Sequence, residues 1–457
     1  MMFNNKNLER IHFIGVAGIG MSGLAEILLG HGFAVSGSDK NYNKNVEKLE
    51  KKGLMFFRGH HSESVAHAQL VIISTAINSS NPELAYAREY GIPVIRRGQL
   101  LAQLMLQKNG LAVSGTHGKT TTTSMLATIL VENNYDPSVL VGGNVVNLEG
   151  NARLGKGDFF VSEADESDGS FLWLNPVAMV VTNIDTDHLD HYGNMDKLKQ
   201  AFLQFIHKTP YYGICAINKD DAILSTLIPM IEVPFSTFGL MSDADYTARN
   251  IHHDLEGSSY ELYYLNESVA TIELALPGRH NVLNSLGAIA IAHNIGLGFG
   301  EIAHALKSFK GVGRRLEKIR QVNRMMIIDD YAHHPTAIKT TLATLREMTK
   351  KKIIAVFEPH RYTRTQKCWS EFLHCFEDAD HVFIAPIYAA NEVEIPGINT
   401  SELVAQIQVN TEVPVKEMDS VDELYNLVLR FKEQDCVLIT LGAGPLSTKI
   451  RDVVNSI

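Results

Sequence analysis

Residues 114–121 read Ser-Gly-Thr-His-Gly-Lys-Thr-Thr, directly after the apolar run Leu111–Val113 and directly before the helix-like stretch Ser124–Leu130. A strand, a glycine turn and a helix start in this order bring backbone N–H groups against phosphate oxygens, so the stretch predicts a nucleotide-phosphate site. Gly115 and Gly118 permit the tight turn, and Thr116, His117 and Thr121 complete the cradle. Lys119 supplies charge, and Thr120 offers its hydroxyl to a magnesium ion. Two residues rather than four separate the first glycine from Gly-Lys-Thr, so this is a shortened phosphate loop rather than the general pattern. A chance glycine turn would lack the flanking strand and helix, and both are present.

A chain of 457 residues is too long for one ordinary core, and about 150 residues per domain suggests roughly three. Hydrophobic residues make up 45% of it and the mean hydropathy is −0.02, values that predict a water-soluble globular protein. A net charge of −10 argues against a surface built for nucleic acid or anionic membrane, since either requires clustered basic excess. Cys215, Cys368, Cys375 and Cys436 are scattered without Cys-x-x-Cys spacing. That excludes a zinc or disulfide framework and predicts buried free thiols in a reducing cytoplasm. The uncharged run Ile11–Ala25 imitates a secretory signal, but Gly15, Gly18, Gly20 and Gly23 interrupt it at strand–turn–helix spacing.

That opening predicts a Rossmann-like domain, with strand Ile11–Gly15, a turn at Gly18–Gly23 into a helix through Leu29, and strand Phe33–Gly37 leading to Asp39. Gly18, Gly20, Ser22 and Gly23 are the candidate contacts to a phosphorylated ligand, and Asp39 stands near where an acid meets a ribose hydroxyl. Further strands are expected at Leu70–Ser74 and Val94–Arg96, with a helix over Glu83–Tyr90. A second unit carries strands Asp158–Glu163 and Ala178–Asn183, a β-rich stretch over 231–276 and the helix Asn281–Asn294. Gly311-Val-Gly313 reads as a hinge into a third unit, with strands Met325–Asp330, Lys352–Phe357, His381–Ala385 and Cys436–Leu441 separated by helical patterns. The first glycine turn alone suits a nicotinamide oxidoreductase. Two phosphate-binding openings instead imply two phosphorylated ligands.

Glu163-Ala-Asp-Glu-Ser-Asp168 follows a buried strand beside the phosphate loop, where Glu163 can hold magnesium against phosphates, although a solvated acidic loop has the same composition. Asn183-Ile-Asp-Thr-Asp-His-Leu-Asp-His191 also follows a strand, and His188 and His191 suit a metal or a helix cap. Pro277-Gly-Arg-His-Asn281 opens a helix with side chains suited to a base or ribose. Asp329-Asp-Tyr-Ala-His-His-Pro-Thr336 and His360-Arg-Tyr-Thr-Arg364 are cationic, aromatic turns at strand ends, able to bind a carboxylate.

Taken together, Gly115–Thr121, Glu163–Asp168, Gly278–Asn284 and Asp329–Thr336, in this order, resemble the Mur ligase family over nearly the whole chain. The resemblance implies a three-domain α/β fold. Residues 1–107 form a Rossmann-like domain for a UDP-linked substrate, 108–312 a central P-loop ATPase-type parallel sheet with a β-rich addition, and 313–457 a Rossmann-like domain recruiting an amino acid. It implies ATP and Mg2+ as cofactors and an acyl-phosphate route to an amide. Gly15–Gly23 and Pro359–Arg364 look most like the member that joins L-alanine to UDP-N-acetylmuramate. A tripeptide-recycling member and a regulator without ligase activity are the alternatives.

The resemblance also carries roles. Lys119, Glu163, His188 and Arg314 become the catalytic set, with Thr120, Glu163 and His188 holding metal. Asn281 and Asp330 contact adenine and ribose, while Tyr331, His333, His360, Arg361 and Arg364 form the amino-acid site. Domain closure is expected to exclude water, and the protein is expected to be a monomer or weak homodimer in the cytoplasm. Glu358 stands where related sequences commonly carry Gln, Pro386 and Asn391 replace expected Asp and Gly, and Pro445 replaces Asn or Asp.

Overall fold

A computed structural model of the protein describes residues 8–148, 150–186, 189–241, 243–390 and 392–457. It is a three-domain α/β fold with one parallel or mainly parallel sheet per domain. The first sheet has the order Met55–Arg58, Ala34–Asp39, Arg10–Ile14, Leu70–Ile73, Val94–Arg96, all parallel. The first strand is therefore central. Chain connections leave it in opposite directions, making the crevice at its carboxyl end the natural ligand position.

The second sheet places Asn109–Ser114 between Ala178–Val181 and Phe159–Glu163, parallel to both. Beyond Phe159–Glu163 lie Ser138–Val145 and the antiparallel Gly150–Arg153. On the other side the order continues through Ile214–Asn218 and Phe235–Gly239 into the strands Tyr246–Asp254, Gly257–Tyr264 and Glu267–Leu274. These last strands realise the expected β-rich stretch. The third sheet runs Glu317–Val322, Met325–Asp330, Cys436–Leu441, Lys352–Phe357, His381–Ile384, Val415–Glu417, with only the first pair antiparallel. Every residue of Cys436–Leu441 is buried, as a strand covered on both faces requires.

By contacts the chain divides into two compact units, one comprising Met1–Ile251, Ser259–Ala275 and His280–Lys310, the other His252–Ser258, Leu276–Arg279 and Gly311–Ile457. Within the first, one apolar core runs from Ile11, Phe13, Leu24 and Leu28 to Phe160, Phe171 and Phe202. Gly23 sits at this seam. A Cβ there would stand 2.4 Å from Leu140 Cδ1 and 2.9 Å from Asn151 Nδ2, so the missing side chain lets helix Ile19–Gly30 lie on the second sheet. In the second unit, Ile338, Leu342, Phe357, Phe372 and Phe376 pack on one face of the sheet, and Val356, Leu438 and Ile450 on the other. All four cysteines are free and buried. Among the described residues no helix is long and apolar enough to cross a membrane.

Candidate active site

Strand Asn109–Ser114 delivers the chain into the glycine loop, and helix Lys119–Glu132 leaves it. Gly115 has φ +130° and Gly118 φ +83°. A Cβ on Gly115 would lie 2.1 Å from Thr182 Oγ1, and one on Gly118 2.5 Å from Asn284 Oδ1. Both positions therefore require glycine for backbone conformation and for space. The first N–H groups of the helix have no intrahelical acceptor and carry the positive end of its dipole, a ready cradle for phosphate oxygens.

The neighbouring strand end clamps the loop. Thr116 N–H donates to the Asn183 carbonyl at 3.1 Å and His117 N–H to Asn183 Oδ1 at 2.8 Å. Thr182 Oγ1 and Asn183 Nδ2 donate to the His117 carbonyl at 2.6 and 3.0 Å, and Asp185 N–H donates to Thr116 Oγ1 at 2.9 Å. The His117 ring meets Asp185 Oδ2 at 3.0 Å, and this bond holds the Asp185 carboxyl down to about 2. Asn183 and Asp185 thus shape the loop, a task not assigned to them from sequence. His188 lies outside the described residues.

Lys119 Nζ donates to both oxygens of Glu166 at 2.8 Å and to the Gly115 and Thr116 carbonyls at 2.5 and 3.2 Å. The acidic cluster was legible, but its third acid as the partner of Lys119 was not. Glu163 ends its strand and accepts a hydrogen bond from Gly142 N–H at 2.7 Å. Burial pushes its carboxyl upward, opposed by Gly142, Lys119 and the Thr120 hydroxyl. A carboxylate in that condition gains from a cation beside it, so Thr120 and Glu163 fit a magnesium ion. No trio of His, Cys, Asp or Glu groups able to hold a metal occurs among the described residues.

A cavity of about 170 Å³ joins the first glycine turn to these carboxylates, lined by Gly20, Arg97, Leu140, Glu163, Asp165 and Phe171 among others. Arg97 Nη2 is 3.2 Å from Asp165 Oδ2, and a Cβ on Gly20 would fall 2.7 Å from Arg97 Nη1. Gly18 caps helix Ile19–Gly30, and Ser22 turns its hydroxyl to the Ile19 carbonyl. Asp39 accepts from Ala17 N–H at 3.0 Å and from Asn41 N–H at 2.9 Å, so its carboxylate closes the turn. Thr121 is buried on the helix after the loop, and Asn281 is buried one turn before Asn284.

The second unit assembles the other candidates. Arg314, with φ +63°, stacks its guanidinium 4.8 Å from the centre of the Tyr331 ring. Asp330 Oδ2 and Oδ1 accept from Leu316 and Ala332 N–H at 2.7 and 2.8 Å, closing that turn. Tyr331 meets His333 edge-on at 5.2 Å, and His333 lies 6.1 Å from His360, so the two cationic turns converge. Arg364 Nη1 is 3.2 Å from His360 Nδ1. Burial, helped by Arg364, pushes His333 down to about 3 and His360 to about 4. Both imidazoles are then neutral near pH 7, leaving the arginines as the positive charge. Arg361 has φ +73° and is anchored through N–H to the Tyr388 carbonyl at 2.8 Å. Asn391 lies outside the described residues.

Family models match in order along the chain: Mur ligase family, catalytic domain, at residues 10–109; Mur ligase middle domain at 113–292; and Mur ligase, glutamate ligase domain, at 314–444. The chain is 44% identical over 437 residues to the UDP-N-acetylmuramate–L-alanine ligase of Geotalea daltonii, covering 96% of this chain and 95% of that protein. The ligase of the same name from Syntrophotalea carbinolica is 42% identical with the same coverage. Among solved structures, the UDP-N-acetylmuramate–alanine ligase of Thermotoga maritima superposes with TM-score 0.85 at 28% identity, over 98% of both chains. A murein peptide ligase of Psychrobacter arcticus gives 0.73 at 25% identity, again over 98% of both.

Proposed function

The chain belongs to the Mur ligase family, and from that premise we propose that it joins L-alanine to the lactyl carboxylate of UDP-N-acetylmuramate at the expense of ATP, a step of peptidoglycan precursor synthesis. The observation that carries the choice of substrates is identity of 41–44% to ligases of that name over nearly the full chain. The lactyl carboxylate attacks the γ-phosphate, ADP leaves, and the alanine amine displaces phosphate from the acyl phosphate. Residues 1–107 bind the UDP part, 108–312 bind ATP, and 313–457 recruit alanine.

The loop N–H groups and Lys119 stabilise charge as it develops on the transferred phosphoryl group. Glu166 supports this by holding Lys119 against the loop carbonyls before substrate arrives, so its position costs no reorganisation. Thr120 and Glu163 would hold Mg2+, with His188 at a second ion. Held there, a divalent cation would supply positive charge to offset the phosphate oxygens. By the family resemblance, Asn281 and Asp330 are assigned to adenine and ribose, and Arg314 to the phosphates. The neutral His333 and His360, with Tyr331, Arg361 and Arg364, receive the alanine carboxylate, which a guanidinium fork binds in two places. Four buried thiols and the supply of ATP suit the cytoplasm.

The deciding experiment incubates purified protein with Mg2+, ATP and UDP-N-acetylmuramate and records ADP release and product mass with L-alanine, with tripeptide or with no acceptor. The expected product is UDP-N-acetylmuramoyl-alanine. Ligation of tripeptide alone would assign the recycling activity instead, and no amide with either acceptor would refute the proposal.

A further inference from the structure

Glu358 follows strand Lys352–Phe357 and is only 2% exposed. Its backbone N–H donates to the Leu441 carbonyl at 2.9 Å, tying it to the end of the adjacent strand. From there residues 442–446 wrap around its side chain. A Cβ on Gly444 would stand 2.1 Å from Glu358 Oε2, and one on Gly442 3.2 Å from Glu358 Cβ. Leu446 N–H points to Glu358 Oε2 at 3.4 Å, at the start of a helix whose cap is Pro445, a residue with no N–H of its own.

Glu358 and Pro445, two residues that the family resemblance did not lead us to expect, are thus neighbours in space. The same turn holds Arg314, whose Nη2 donates to the Gly442 carbonyl and lies 3.5 Å from that of Gly444. Arg314 Nε makes no hydrogen bond and lies 3.6 Å from Asp329 Oδ2. On its other side the turn touches Tyr388, whose ring carbon Cγ would be 3.2 Å from a Cβ on Gly444. Tyr388 N–H donates to the Pro359 carbonyl at 2.8 Å, and its carbonyl accepts from Arg361.

We infer that Glu358 is a positioning residue: its buried carboxyl pegs the turn at 442–446 and, through the carbonyls of that turn, sets where the Arg314 guanidinium stands. The inference rests on the ligase reading above and concerns the state in which that cation is available. Charged and titratable groups facing the carboxyl are Arg314 from the segment before Glu317–Val322 and Tyr388 from the loop after His381–Ile384; residues 442–446 contribute none. Burial pushes the carboxyl up to about 7, against the pull of Leu446 N–H and Arg314. The neutral acid pegs the turn without competing for the guanidinium. Ionisation adds a negative charge within electrostatic reach of Arg314 and offsets the positive charge of its guanidinium.

The test compares kcat of wild type and Glu358→Gln at saturating ATP, UDP-N-acetylmuramate and L-alanine from pH 6 to 8.5. The amide copies the neutral acid and does not titrate. The ratio of variant to wild type is expected to rise with pH, reaching about thirtyfold if only the neutral form is competent. Melting temperatures over the same range establish that both proteins are folded. In an Arg314→Lys background the pH-dependent ratio should disappear, because the effect passes through the guanidinium. Parallel profiles, a ratio that falls with pH, or an effect that survives Arg314→Lys would overturn the inference. An active wild type with parallel profiles defeats this inference alone, whereas a wild type that forms no amide defeats the functional reading beneath it.

Discussion

Lys119 and Glu166 form a two-pronged ion pair, with both carboxylate oxygens 2.8 Å from Nζ and the acid side chain 1% exposed. Removing the lysine takes the counter-charge from a buried carboxylate, a change that typically costs about 3–5 kcal/mol. Lys119→Ala is therefore expected to lower the melting temperature and to reduce turnover by at least about 100-fold. Binding of UDP-N-acetylmuramate, measured by calorimetry below the melting point, should persist, because the first glycine turn belongs to a different sheet. Loss of both ligands in a folded variant would contradict the assignment of two separate phosphate sites.

Gly115→Ala tests the loop geometry. At φ +130°, with Thr182 Oγ1 2.1 Å from the added carbon, the substitution combines backbone strain with a clash against a side chain that clamps the loop. The strain alone is worth about 1–3 kcal/mol. A raised KM for ATP with a lower melting temperature is expected. A variant that kept wild-type ATP affinity would show that the loop does not cradle phosphate.

Asp185 gives a pH signature. Its carboxyl is lowered from 3.8 to about 2, chiefly by the His117 hydrogen bond, so the folded state favours the ionised form. The associated stability is present above the unfolded value and is lost as pH falls towards 2. Asp185→Asn should melt lower than wild type at pH 7, and the gap should narrow between about pH 4 and pH 2. The group is partly solvated, so the effect should be small. A gap independent of pH would remove the His117 bond from the account.

Arg361→Ala addresses the amino-acid side. Its backbone is anchored to Tyr388 while its side chain is exposed, so truncation should leave the fold intact. Loss of a charge-assisted fork of about 1.5–3 kcal/mol corresponds to roughly a 10- to 100-fold rise in the alanine KM, with little change for ATP. A rise in the ATP KM instead would place the amino-acid site elsewhere.

Much of the architecture was legible because buried parallel strands are continuous apolar runs. Met325–Asp330, Lys352–Phe357 and Cys436–Leu441 have the limits expected from sequence, and so does the half-exposed edge strand Val94–Arg96. Ser138–Val145 escaped because Gly142 and Gly143 interrupt its pattern, and Val415–Glu417 because three residues carry no period. Gly23 belongs to the first glycine turn by spacing, yet its Cβ position faces Leu140 and Asn151 of the second sheet. A fingerprint read along the chain contains no information about which sheet lies over it.

By itself the sequence determined where the glycine turns fall, which segments form strands and helices, and which side chains stand at strand ends, since these follow from local sterics and hydrophobic period. Only the tertiary structure decided that the acid meeting Lys119 is Glu166, 47 positions away, that Asn183 and Asp185 hold the phosphate loop, and that Glu358 lies inside the turn at 442–446. Strand order makes neighbours of residues far apart in the chain. That order is set by the burial of whole faces against one another, which no local window of residues contains.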